Sequence, residues 1–254
     1  MLEETFVHLP AVGPRTEARL WQAGIADWAA ALASGSAPGI GRARWATMQR
    51  MLEECRRSLQ AREHRYFAER LAQRYHWRAW PDFRHAAAYL DIETTGLHRA
   101  AQVTVVGVYD GLRVHSFVLG DNLDLLPEFL DQFALIVTFN GATFDLPFLR
   151  RRFPRLDLSQ LHMDLRYALR EAGISGGLKS IERRMGLVRD EDIAQLDGLD
   201  AVRLWQEYVR GDDRSLDLLV RYNAADVANL ETLAEHAYRE LWKRCRAGCR
   251  VPPG

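Results

Sequence analysis

The chain has 254 residues, of which 48% are hydrophobic and 27% charged, and its 34 basic side chains balance 34 acidic ones to a formal net charge of zero. This composition excludes a disordered, a collagen-like and a disulfide-stabilised chain, and three cysteines indicate a reducing cytoplasm. No apolar run approaches the roughly 20 residues of a membrane span, and the acidic start predicts no secretory signal.

Charge is distributed unevenly along the chain. Residues 1–80 carry 12 basic and 8 acidic side chains, a net charge of +4, whereas residues 81–254 carry 22 basic and 26 acidic side chains, a net charge of −4. The zero total, taken alone, argues against nucleic acid as a partner. The basic N-terminal part, in contrast, is compatible with a polyanion.

The N-terminal part is predicted to be helical. Between Trp45 and Leu71, apolar residues recur at steps of three and four, with arginines on the other faces. Pro81 then precedes a clear strand pattern. We therefore expect a small all-α domain over residues 1–60, a helical connector over 61–82, a second domain over 83–243 and a basic tail over 244–254.

The second domain begins with strand-like segments. Apolar runs predict strands at 86–92, 102–109, 112–119 and 134–139, and Asp164 is expected to end a fifth. Helical patterns follow from Thr143, whose hydroxyl is predicted to cap the first of these helices. Strands that precede most of the helices indicate an α/β fold with a sheet of mixed direction.

Carboxylates lie at related positions on three of these elements. Asp91 and Glu93 share one face of the first strand, because alternate residues of a strand point to the same side. Asp145 falls in the first turn of the helix after the fourth strand, and Tyr222 and Asp226 are one helical turn apart. Neighbouring carboxylates repel unless a proton or a cation intervenes. Each segment alone is also compatible with a solvated surface or a contact with a helix dipole.

Together, the three segments resemble the DEDD exonuclease superfamily in its tyrosine (DEDDy) variant, which includes the proofreading domain of family B DNA polymerases and stand-alone bacterial relatives. The matching positions are Asp91, Glu93, Thr94 and Gly96 in the first motif, Asn140, Phe144 and Asp145 in the second, and Tyr222 and Asp226 in the third. The resemblance covers about residues 84–243. It implies a ribonuclease H-like fold, with a mixed five-stranded sheet flanked by helices.

The resemblance also implies a two-metal hydrolase that removes nucleotides from 3′ ends. Asp91, Glu93, Asp145 and Asp226 are then ligands of two Mg²⁺ or Mn²⁺ ions, which prefer oxygen donors. Tyr222 orients the attacking water, since a tyrosine with a pKa near 10 is a poor base at neutral pH.

Nucleic-acid contacts are implied around the first two motifs. The expected residues are Thr95 and Leu97 at the terminal nucleotide, Asn140 and Phe144 along the strand, and Arg150 and Arg151 at phosphates. Phe144 is equally compatible with the core, and the arginines with a solvated helix face.

Two N-terminal segments resemble the helix-hairpin-helix motif, which presents backbone N–H groups to a DNA phosphate at a helix N-terminus. The first spans residues 9–20 and the second, 28 residues later, spans 37–44. Their expected phosphate contacts are Gly13, Arg15, Gly39, Gly41 and Arg42. Ala11 departs from the motif, which prefers glycine there, and a helical cap with glycine turns is the alternative.

The sequence therefore predicts a metal-dependent 3′–5′ exonuclease acting on single-stranded DNA ends, including ends at duplex junctions in DNA repair or processing. A 3′–5′ exoribonuclease and a non-catalytic nucleic-acid-binding scaffold are the alternatives. We expect a cytoplasmic protein with no membrane partner.

Overall fold

A five-stranded mixed sheet forms the centre of the computed structural model, which describes residues 1–98 and 100–247. The strands are β1 (Ala87–Thr94), β2 (Val103–Tyr109), β3 (Val114–Val118), β4 (Leu135–Thr138) and β5 (Leu161–Asp164). Their order in the sheet is β3-β2-β1-β4-β5. Strands β1, β2 and β3 pair antiparallel, whereas β4 and β5 run parallel to β1.

Helices flank this sheet. Those within and after it are α6 (Leu126–Leu130), α7 (Asp145–Arg152), α8 (Leu165–Glu171), α9 (Leu178–Arg184), α10 (Glu191–Ala194), α11 (Gly198–Val209), α12 (Asp213–Ala228) and α13 (Leu230–Ala247). Helix α12 packs against β1 and β2, and α13 packs against α8. The predicted α/β fold, with a mixed five-stranded ribonuclease H-like sheet flanked by helices, is confirmed.

The described residues before β1 are helices and turns. The helices are α1 (Pro14–Gln22), α2 (Trp28–Ala33), α3 (Arg42–Gln60), α4 (His64–Arg70) and α5 (Trp80–Phe83), with 3-10 helices at Leu2–Glu4, Gln73–Ala79 and Arg84–Ala86. Among the described residues, no helix combines the length and apolar character needed to cross a membrane.

The N-terminal helices share a hydrophobic core with one face of the sheet. One cluster of buried side chains extends from Leu2 and Trp28 through Trp77 to Leu241 of α13. An ion pair between Arg78 and Glu17, 2.8 Å apart and almost wholly buried, links the helix Gln73–Ala79 to α1. The opposite face of the sheet packs on a second cluster that includes residues of α6 and α7. The division of the chain at residues 60 and 82 stays a prediction, as does a separate tail, of which residues 248–254 lie outside the described residues.

Candidate active site

Strand β1 positions the first two carboxylates. Leu90 and Ile92 point into the cluster beneath α7, so Asp91 and Glu93 point to the other face, toward α12. The register of β1 and β2 shifts between Glu93 and Thr94, where β1 ends. The alternation predicted from the sequence therefore positions Asp91 and Glu93 together.

Helix α12 carries the third motif and approaches the sheet closely. Gly107 of β2 lies opposite Asp91, and a Cβ atom at Gly107 would lie 2.3 Å from Oδ1 of Asn223. The Nδ2 atom of Asn223 donates to Oδ2 of Asp91 at 3.0 Å. Tyr222 and Asp226 of this helix are both buried. The glycine thus allows α12 to reach the carboxylates of β1.

The loop between β4 and α7 positions Asp145, which is the first residue of α7. The carboxylate of Asp164, at the end of β5, accepts the backbone N–H groups of Asn140 and Ala142 at 2.9 and 3.0 Å. Asn140 has a φ of +71°, in the left-handed region. The prediction that Thr143 caps α7 is wrong, because its hydroxyl donates to Asn140 instead. The predicted end of a fifth strand at Asp164 is observed.

The structure brings the four predicted carboxylates into one buried cluster. Asp91, Glu93 and Asp226 each offer a carboxylate oxygen, and these atoms lie within 4.8 Å of one another. Asp145 lies beside this trio, and its negative charge contributes to the raised pKa values of Asp91 and Glu93. Within the described residues, Oδ1 of Asp145 is buried without a hydrogen-bond partner.

Burial and mutual repulsion disfavour ionisation of these groups. Loss of hydration is the largest cause that raises the pKa of Asp91 and Glu93 well above the usual range, followed by the charge of Asp226. Burial raises the pKa of Asp145 to about 7. A hard divalent cation would relieve this repulsion and would satisfy the orphaned oxygen of Asp145, so the donor set fits Mg²⁺ or Mn²⁺.

A buried cation lies within the cluster and was not predicted from the sequence. The guanidinium of Arg189 forms ion pairs with Asp226 and with Glu182 of α9, each 2.6 Å long. Asn229 donates to the other oxygen of Glu182 at 2.9 Å. The family resemblance assigns no role to Glu182 or Arg189.

Lys179 is a second unpredicted cation, and it lies beside Tyr222. Its Nζ atom is 4.5 Å from the centre of the Tyr222 ring and is buried, with no hydrogen-bond partner among the described residues. Burial is the largest cause that raises the pKa of the Tyr222 hydroxyl, followed by the charge of Asp226. Tyr222 is therefore protonated at neutral pH.

The predicted nucleic-acid contacts differ in their exposure. Leu97 is 82% exposed, just past the end of β1, and Thr95 is held by Gln102. Phe144 is half-buried, with its ring 4.8 Å from that of Phe148. Arg150 is exposed, whereas Arg151 bonds the carbonyl of Ala101 and lies over the Phe148 ring.

The two N-terminal hairpins have the same backbone pattern. Ala11 has a φ of +54° and Gly39, 28 residues later, a φ of +69°. Gly13 precedes α1 and Gly41 precedes α3, each as the residue at the helix N-terminus. Arg44 donates to the carbonyls of the first hairpin, so the two turns lie side by side. Arg15 and Arg42 are exposed just inside the two helices.

Comparisons with known proteins identify one family. A family model described as RNase_H superfamily matches residues 88–238. No match is found among curated proteins. A solved structure of the family B DNA polymerase from the hyperthermophilic archaeon Pyrobaculum calidifontis is similar, with 18% sequence identity and a TM-score of 0.48 over 59% of this chain. The chain covers 24% of the length of that polymerase.

Proposed function

The chain belongs to the RNase H superfamily, and from this premise we propose that it is a metal-dependent nuclease that hydrolyses phosphodiester bonds at 3′ ends. The observation that carries the proposal is the buried cluster of Asp91, Glu93 and Asp226, whose carboxylate oxygens converge within 4.8 Å. Asp145 completes the set. Such a concentration of buried negative charge is costly unless cations share it.

The four carboxylates are proposed to hold two divalent ions. Mg²⁺ or Mn²⁺, when bound, supplies Lewis acidity toward the phosphate and increases the acidity of the attacking water. Asn223 holds Asp91 in place through its amide, and Asp164 holds the loop that carries Asp145. These contacts fix the donor oxygens before the substrate binds, which lowers the reorganisation that the reaction requires.

Tyr222 is proposed to orient the attacking water through its hydroxyl. Because burial raises the pKa of Tyr222, the hydroxyl keeps its proton and acts by hydrogen bonding rather than as a base. The ammonium of Lys179 against the ring face stabilises the position of the ring. This tyrosine, together with Asp226 one turn later, supports assignment to the tyrosine branch of the DEDD exonucleases.

Arg189 is proposed to be a positioning residue for Asp226. The guanidinium holds one oxygen of Asp226, which leaves the second oxygen available to a metal ion. Glu182 pairs with the guanidinium on its other side, and Asn229 donates to Glu182.

Single-stranded DNA ends are the proposed substrate. Leu97 is exposed beside the carboxylates, where an apolar side chain can contact the terminal base, and Thr95 lies in the same turn. Asn140 and Phe144 border Asp145 along the proposed path of the strand, and Arg150 and Arg151 lie on the helix that follows. The motif resemblance supports removal from the 3′ end.

The direct test of the site removes single carboxylates. Asp91→Ala and Asp226→Ala are expected to abolish Mg²⁺- or Mn²⁺-dependent hydrolysis of a labelled single strand, because each removes a donor oxygen. Asp217→Ala is the matched control, since Asp217 is an exposed carboxylate on the same helix as Asp226. Hydrolysis at the wild-type rate in either active-site variant would refute the assignment of these carboxylates to the active site.

The paired hairpins are proposed to hold duplex DNA near the strand end. Their support is the repeated turn, the two helix N-termini and the adjacent Arg15 and Arg42. Replacing both arginines with alanine should weaken binding to a duplex junction and reduce the salt slope of binding by about 2, with cleavage of a short single strand unchanged. Arg56→Ala, at an exposed position in the middle of α3, is the control. Unchanged affinity of the double variant for the junction would show that the hairpins do not contact DNA and serve only in packing.

A further inference from the structure

A cavity of about 590 Å³ lies between the N-terminal helices and the sheet. One wall is formed by the 3-10 helix Gln73–Ala79 and the other by β5 and α8. Its volume falls within the range of roughly 300–1,000 Å³ that is usual for small-ligand sites. None of the proposed metal ligands lines it, so it is separate from the carboxylate cluster.

The walls of this cavity combine apolar, aromatic and cationic groups. Trp77 and Met163 form a buried apolar part, whereas Tyr167 is 41% exposed. Arg74 and Arg170 also line the cavity, and the guanidinium of Arg170 lies 5.2 Å from the centre of the Tyr167 ring. An exposed aromatic face with adjacent arginines is the combination that stacks a base and binds its phosphate.

Two acidic residues, Asp164 and Glu171, line the cavity, and they repel an anion to different extents. The Asp164 carboxylate accepts three backbone N–H groups, from Asn140, Ala142 and Arg166, which offset its charge. Glu171 is an exposed carboxylate at the end of α8, next in sequence to Arg170. A phosphate is therefore favoured between Arg74 on one wall of the cavity and Arg170 on the other.

The cavity shares a border with the loop that carries Asp145. Ala142 and Asp164 line the cavity, and the same Asp164 holds the loop through two backbone N–H groups. Arg166 donates to Oδ1 of Asn140 at 2.7 Å from the α8 side of the loop. A strand that ends at the carboxylates and passes Asn140 therefore reaches the opening of the cavity.

We propose that this cavity is a second nucleotide subsite, which receives a nucleotide of the substrate strand on the 5′ side of the cleaved bond. The base stacks on Tyr167, and the phosphate binds Arg74 and Arg170. The inference rests on the proposed nuclease function and adds a length requirement to it. A strand too short to reach the cavity loses this contact, although its 3′ end still reaches the carboxylates.

The test compares the binding of a labelled dinucleotide and a labelled octanucleotide in EDTA, measured by fluorescence anisotropy. Tyr167→Ala is expected to weaken octanucleotide binding by about tenfold, the usual effect of removing one stacking ring, and to leave dinucleotide binding unchanged. In a separate assay with Mg²⁺, the same variant should cleave the dinucleotide at the wild-type rate. Tyr167→Phe should retain wild-type affinity. Arg74→Ala combined with Arg170→Ala should lower the salt slope for the octanucleotide by about 0.7, the contribution of one phosphate of a single strand. Arg210→Ala, at an exposed arginine outside the cavity, is the control.

Equal losses for the two lengths, or no loss for either, would overturn the inference. A free deoxynucleoside monophosphate is titrated in parallel by calorimetry. If Tyr167→Ala removes binding of the monophosphate but does not change binding of the octanucleotide, the cavity belongs to a free nucleotide. That result would also overturn the inference. A wild-type protein that binds and cleaves neither strand contradicts the proposed function itself. A wild-type protein that cleaves both, with no dependence on Tyr167, contradicts only the second subsite.

Discussion

Arg189 is buried between two carboxylates, and the charge balance of the site depends on it. Its guanidinium contacts Asp226 and Glu182, and the latter is only 1% exposed. Removing one member of a buried ion pair leaves an uncompensated charge in a poorly hydrated environment. Arg221, on the same helix as Asp226, forms comparable pairs with Asp190 and Asp192, but on the surface.

Arg189→Met is therefore expected to destabilise the protein by about 3–5 kcal/mol, because Glu182 and Asp226 lose their counter-ion. Arg221→Met, the exposed control, should cost less than about 1 kcal/mol. Adding Glu182→Gln to Arg189→Met should recover part of the loss, since it removes one of the two unpaired charges. The measurement is denaturant unfolding in EDTA. Equal losses for the two arginines would contradict the role given to Arg189.

At the scale of residues, the sequence indicates the carboxylates but not the side chains that hold them. Asp91 and Glu93 are predictable because strand alternation fixes their common face, and helical spacing does the same for Tyr222 and Asp226. Arg189 is not predictable in this way. Its partners lie 7 and 37 positions away on separate helices, so no local period relates them.

At the scale of elements, the position of α12 on the sheet depends on one glycine. A side chain at Gly107 would meet Oδ1 of Asn223, whose amide also donates to Asp91. Helix α12 cannot move away there without also shifting Tyr222 and Asp226. A larger side chain at this contact between β2 and α12 therefore displaces the active-site residues of α12.

Gly107→Ala is expected to destabilise the protein by about 1–3 kcal/mol, as overpacking usually does, and to lower the rate of metal-dependent hydrolysis. Gly198→Ala serves as the control, because a Cβ atom there meets nothing within 4 Å. The two variants are compared by thermal unfolding and by initial rates. A Gly107→Ala protein with wild-type stability and rate would show that α12 adapts freely.

Strands β1, β2 and β4 were predictable because their apolar residues are almost all buried. The runs 86–92 and 102–109 correspond to β1 and β2 with small shifts at their ends. The loop before α7 was less predictable. Thr143 has the sequence character of a cap, but Asn140 accepts its hydroxyl, while Asp164 of a different strand holds the loop. Such non-local hydrogen bonds override local capping preferences.

At the scale of the whole molecule, a net charge of zero conceals a concentration of acid at one site. Burial raises the pKa of Asp145 to about 7, whereas an unfolded aspartate has a pKa near 3.9. Between these values the folded protein binds a proton that the unfolded chain does not. The stability from this group is therefore fully present below about pH 4 and is lost as the pH rises through about 7.

The difference in unfolding free energy between wild type and Asp145→Asn measures this effect together with the coupling of Asp145 to Asp91 and Glu93. In EDTA, the stability of wild type relative to the variant should fall by up to about 4 kcal/mol from pH 4 to pH 8. Buried His8 and His162 have lowered pKa values and give the opposite slope, but both proteins contain them. Adding Mg²⁺ should remove most of the fall, because the cation favours the ionised carboxylates. A difference that does not change with pH would contradict the buried charge cluster.

The whole-molecule arrangement was the least predictable from composition. The charge asymmetry does not show how the two parts pack, and Leu2, Trp28 and Leu241 belong to one hydrophobic cluster. Deleting the N-terminal helices would therefore expose the core that they share with the sheet. Hydrophobic periodicity shows which face of a helix is buried, but it does not show which element covers that face.

The proposed 3′–5′ nuclease activity is tested most directly by the cleavage of matched DNA and RNA strands, each blocked at the 3′ or the 5′ end. We predict that, with Mg²⁺ or Mn²⁺, the wild type shortens DNA strands with a free 3′ end and leaves 3′-blocked strands intact, and that Asp91→Ala shortens none. Faster cleavage of RNA would assign the substrate to RNA. Cleavage of 3′-blocked strands, or no cleavage of any strand by a folded protein that binds the metal, would contradict the account.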